Sequence, residues 1–134
     1  MAGKIDWSLN VIVAGGPKFA VSDTLQVDAY DTIDVTIPKK GDPGAGAVKV
    51  SVQPGGEGTV QFLFIKSSLY DDKLTYAVDG GSPVKLDAPQ LLTGDGLVSL
   101  LNKTQKEFVF KNDVDPPKAA AAAVQILVGR NAGA

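Results

Sequence analysis

The chain has 134 residues, 44% hydrophobic and 21% charged, with 13 Lys and Arg against 15 Asp and Glu, and neither His nor Cys. The two absences exclude an imidazole base, a thiolate nucleophile, zinc held by either residue, iron–sulfur clusters and haem ligated through them, so only oxygen-ligand metals remain. The net charge of −2, carried with twelve Lys and the single Arg130, argues against nucleic-acid recognition, which leans on the planar guanidinium.

From the amino terminus, Lys4 to Val13 alternates, with Ile5, Trp7, Leu9, Val11 and Val13 on one side and Lys4, Asp6, Ser8 and Asn10 on the other. That pattern predicts a half-buried strand. Ala14-Gly-Gly-Pro17 predicts a turn, and Phe19, Val21, Leu25, Val27, Ala29, Ile33, Val35 and Ile37 continue at period two, with a bend or bulge expected at Tyr30-Asp31. Lys39 to Gly46 reads as an exposed loop, Ala47 to Val52 as a short strand, and Gln53 to Gly58 as the next loop.

Thr59 to Ile65 is apolar on both faces, which places it centrally in a sheet covered on both sides. Lys73 to Val78, with Leu74, Tyr76 and Val78 inward, and Val84 to Leu86 flank Asp79-Gly-Gly-Ser-Pro83, the clearest hairpin signal in the chain. Ala88 to Leu101 reads as a loop with one short helical turn, and Glu107 to Lys111 alternates around Phe108 and Phe110. In the Ala-rich segment 116–134, Pro116 to Ala123 suits a helix start, while Val124 to Val128 is β-branched and alternating. A terminal strand is favoured, since so short a helix has little stability of its own.

Eight or nine short strands with regular turn signals and at most one short helix predict an all-β protein, an antiparallel β-sandwich or jelly roll, in one domain spanning 1–134. The dominance of Asp among the acids agrees, because Asp favours turns whereas Glu favours helices. A chain of this size buries about two-thirds of its extended surface, enough for a core without disulfide or metal.

Six kinds of site come into question. Asp71, Asp72, Asp113 and Asp115 lie in loops or at strand ends and are the candidate calcium ligands, and Asp79 and Asp95 sit in Gly-rich turns; no EF-hand spacing is present, and turn-forming Asp explains each singly. Tyr30, Tyr70 and Tyr76 fall nearer to turns than the other aromatic residues and, if exposed together, would make a carbohydrate platform. Paired-carboxylate hydrolysis would need acids brought together from distant loops. Ser82-Pro-Val-Lys85 matches S-x-x-K only formally, because Pro83 lies in the expected hairpin rather than on a helix. Neither Gly15-Gly-Pro-Lys18 nor Gly41 to Gly46 continues as a phosphate-binding loop. Asn102-Lys-Thr104 is a glycosylation sequon by pattern alone.

With no catalytic set and no cofactor expected, the leading expectation is a non-enzymatic structural or assembly protein that self-associates or docks to a protein partner. The terminal strands, Lys4 to Val13 and Val124 to Arg130, are the expected contact segments, since terminal strands often lie at sheet edges. The Ala-rich tail is an alternative arm. A carbohydrate-binding module, assisted by calcium, is the other reading. Met1 to Trp7 lacks a secretory layout and no apolar run is long enough to span a bilayer, so a soluble cytoplasmic protein without membrane contact is expected.

Overall fold

The computed structural model describes residues 3–52 and 59–131. The expected loop Gln53 to Gly58 therefore lies outside the described residues. Among the described residues there are ten strands and one helical turn. Strands β1 (Gly3–Ile12) and β2 (Lys18–Val27) pair only with each other. The first four-stranded sheet has the order β3 (Ala29–Ile37), β10 (Ala122–Arg130), β5 (Val60–Ser67), β8 (Gln90–Thr93). The second has the order β4 (Val48–Ser51), β9 (Glu107–Asn112), β6 (Asp71–Val78), β7 (Val84–Leu86), and α1 covers Asp95–Val98. All pairings are antiparallel, and the two four-stranded sheets pack as a β-sandwich.

Period-two alternation decides which side chains meet between the sheets. On the first sheet Val124 and Ile126 of β10 stand beside Val35 and Ile33 of β3, and Ile126 and Val128 stand beside Ile65 and Leu63 of β5. On the second, Phe108 and Phe110 of β9 stand beside Val78 and Tyr76 of β6. The Tyr76 ring lies 6.0 Å from that of Phe108 and 5.6 Å from that of Phe110, giving the core an aromatic centre. Arg130, mostly buried, forms an ion pair with Asp31.

Several expectations change in detail. Val124 to Arg130 is a strand, but β10 is an interior strand between β3 and β5, so both of its edges are already paired. Its β-branched inward row and the tightly buried Ala122 explain why sheet packing outweighs the helix propensity of the alanine run. The bend falls at Asp28, whose amide donates to Arg130 O at 3.0 Å, rather than at Tyr30-Asp31. Within the expected loop Ala88 to Leu101 the chain adds strand β8 before its short helical turn. Thr59 to Ile65 is central as expected, with Phe62 and Leu63, on opposite faces, both buried.

Candidate functional site

The β1–β2 hairpin is where sequence and structure part most informatively. Its register sets Ile5 opposite Leu25, Trp7 opposite Asp23, Leu9 opposite Val21 and Val11 opposite Phe19 on one face. The other face carries Lys4, Asp6, Ser8 and Asn10 opposite Gln26, Thr24, Ser22 and Ala20, with the Thr24 hydroxyl donating to Asp6 at 2.7 Å. The turn closes through Val13 N–H to Pro17 O at 3.0 Å and Gly16 N–H to Val13 O at 2.8 Å. Gly15 takes φ +72°, a conformation that side-chain-bearing residues resist.

Only the root of the apolar face is covered. A Cβ at position 129 would stand 2.7 Å from Ile5 Cδ1, 3.1 Å from Val27 Cγ1 and 3.3 Å from Phe62 Cβ, so the bare backbone of Gly129 is what lets the hairpin lie on the outer face of the first sheet. Gly3 is seated likewise, since a Cβ there would meet Tyr30 Cε1 at 2.9 Å. Val27 and Phe62 are buried yet stand outside the inter-sheet core, which marks a small second cluster beneath the hairpin. Trp7 is half-buried beside it, and its Nε1 is buried without a hydrogen-bond partner among the described residues.

Beyond the root no described residue covers the same face. Leu9 and Val11 are 45% exposed, Val21 50% and Phe19 62%. The expectation of a half-buried strand from Lys4 to Val13 is thus corrected over its outer half. Alternation reports that a strand has an apolar face, and it does not report that the face is covered by the same molecule.

Three of the four acids expected as calcium ligands, Asp71, Asp113 and Asp115, are paired with lysines. Asp115 pairs with Lys40 at 2.6 Å and Lys73 at 2.7 Å, Lys40 reaches Asp113 at 3.4 Å, and Asp71 takes the Lys73 amide at 2.9 Å and Lys118 Nζ at 3.3 Å. Asp72 neighbours Asp71 on β6 and takes no part in these pairs. Among the described residues no three acidic side chains converge on a point where a cation would sit. The Lys40 hydrogen bond, then that of Lys73, holds the Asp115 carboxyl down at about 2.

The tyrosines likewise do not make one platform. Tyr30 lies under Gly3 at the hairpin root, and the Tyr70 hydroxyl accepts the Ser67 amide at 2.9 Å. Tyr76 is in the core, 1% exposed, with its hydroxyl on Gln90 at 2.5 Å; burial pushes its phenol up to about 12. Asp79 serves as a latch. Its carboxylate accepts the Thr104 hydroxyl at 2.5 Å and the Glu107 amide at 2.8 Å. Burial would raise that carboxyl, and the Thr104, Lys106 and Glu107 hydrogen bonds together outweigh it and lower it. Asn102 Nδ2, from the sequon, donates to Val78 O at 2.9 Å.

No protein-family model, curated protein or solved structure matches this chain. Among the described residues no helix is long and apolar enough to cross a membrane.

Two outcomes follow from this geometry. Gly129→Val must push Ile5 and Val27 off the sheet, so the emission of Trp7, the only tryptophan, should shift to longer wavelength and stability should fall by about 1–3 kcal/mol; unchanged emission and melting would contradict the seating. Because the folded Asp115 carboxyl is depressed from 3.8 to about 2, its pairs support the fold above pH 3.8 and lose that contribution as the pH falls toward 2. Asp115→Asn should therefore flatten that part of an acid-unfolding curve, and high salt should do the same to the parent protein. An identical acid limb for variant and parent would contradict it.

Proposed function

We propose that this chain is a non-enzymatic structural or assembly protein that works by self-association, with the β1–β2 hairpin as its contact arm. The observation that carries the reading is the uncovered apolar face of the hairpin beyond its root, centred on the cross-strand pairs Leu9–Val21 and Val11–Phe19. Cross-strand pairs of this kind are the stabilising unit of a sheet face, and leaving them in water forfeits the burial free energy that a packed face gains. Exposed contiguous apolar surface on an ordered element marks contact with another molecule.

The edges of the same hairpin support the reading. Natural sheets blunt a free edge with charge, proline or bulges. Trp7 to Val13 and Phe19 to Ser22 contain no charged residue and no proline, and the β1–β2 ladder has no break in register. The arm thus offers another chain both an apolar face and an unprotected edge. The carbohydrate-binding alternative gains no comparable support, with Tyr76 in the core and the acids engaged by lysines.

The test is absolute mass in solution by light scattering across a wide concentration range. The parent should run as a multimer of the 13.9 kDa chain. The double variant Leu9→Ser, Val21→Ser should run as a single chain with its melting temperature nearly unchanged, since both side chains are exposed. A parent that stays monomeric throughout, or a variant with the parent's mass, would overturn the reading.

A further inference from the structure

The eight large hydrophobic side chains that stand exposed among the described residues occur in only two places. Six are on the hairpin arm: Leu9, Val11, Ile12, Val13, Phe19 and Val21. The other two, Leu97 and Leu100, are in and just after α1, where they line a concavity of about 420 Å³ together with Pro89, Leu91, Leu92 and Leu101. One patch is on the hairpin and the other is a shallow, open hollow.

Resting on the assembly reading above, we infer that the occupant of the β8–α1 hollow is the hairpin arm of a second copy of this chain, so that copies join head to tail. Three observations support this occupant. Both surfaces are largely apolar: Leu9, Val11, Phe19 and Val21 carry no charge, no charged residue lines the hollow, and the charge on the arm's apolar face, Asp23, stands exposed toward the root, opposite Trp7. Joining them therefore buries no unpaired ion, the usual penalty for a mismatched interface.

Their places in the fold also suit a partner rather than the same molecule. The arm runs through Asp28 into β3, one edge strand of the first sheet, and the hollow borders β8, the opposite edge strand. The two edges are three strand spacings apart, about 14 Å. Within one molecule the two patches do not cover each other, since Phe19 is 62% and Leu100 77% exposed.

The apolar patch of the arm is also contiguous: Leu9, Val11, Phe19 and Val21, on one face, are 45–62% exposed, the kind of surface that marks contact with another molecule. A contact between unlike patches is heterologous, and it repeats into a ring or a filament according to the rotation between copies.

The test is complementation. An arm variant, Phe19→Asp, keeps the hollow; a hollow variant, Leu100→Asp, keeps the arm. Both positions are exposed, so each variant should melt with the parent, which is checked first. Each alone should fall to the mass of one chain, with self-association at least about tenfold weaker. Mixed in equal amounts, they should form a species of two chains and no larger, because the one intact arm meets the one intact hollow.

If Leu100→Asp keeps the parent's multimeric mass while Phe19→Asp loses it, arms meet arms; the head-to-tail inference then fails and the assembly reading stands. If both variants are single chains and the mixture gives no two-chain species, the inference also fails. A parent that is monomeric at every concentration overturns both.

Discussion

The contact of Ile5 and Val27 with the bare backbone of Gly129 fixes where the hairpin stands, and most of what is distinctive in this protein depends on it. Without a side chain at 129, two strands that pair with no other described strand are held against the outer face of the first sheet at the start of β1 and the end of β2. The remaining residues then extend past that support with their alternation intact. A long two-stranded ribbon has marginal stability when isolated in water. Here the root cluster of Ile5, Val27 and Phe62 supplies an anchor, the turn at Val13 to Pro17 closes the far end, and the apolar face between them stays open to another molecule.

Charge ties together the loops and strand ends of the sandwich. Lys40 and Lys73 converge on Asp115, Lys118 reaches Asp71, and the Asp79 carboxylate gathers the backbone amides of the chain entering β9. A surface carboxylate with lysine partners and a turn carboxylate with amide partners both satisfy the ordinary requirement that polar groups find partners. The large hydrophobic side chains left exposed among the described residues are on the arm and at the hollow.

Much of the sandwich was legible in the sequence. Alternation located β1, β2, β6 and β9, the two-faced run Thr59 to Ile65 located a central strand, and Asp79-Gly80 located the β6–β7 hairpin. Strand β8 escaped because it has only four residues and its adjacent Leu91 and Leu92 hide the alternation. Alternation set Tyr76 inward with Leu74 and Val78, as it is, while its nearness to a turn suggested a surface ring; register carries it beside Phe108 and Phe110. The interior position of β10 depends on pairings with segments far away in the chain, which local periodicity does not encode. The candidate site was half legible for the same reason. Periodicity marked the apolar face of Lys4 to Val13, but its exposure depends on how far the sheet beneath it extends, and the hollow is assembled from β7, β8 and α1.

The most direct measurement of the central claim is amide hydrogen exchange followed by mass spectrometry at low and high protein concentration. The account predicts that protection of β1 and β2 beyond the root, in peptides covering Leu9 to Ile12 and Lys18 to Ser22, rises with concentration while the core strands β5 and β9 do not change. Exchange in those hairpin peptides that is fast and independent of concentration would contradict the arm as a contact between copies of this chain.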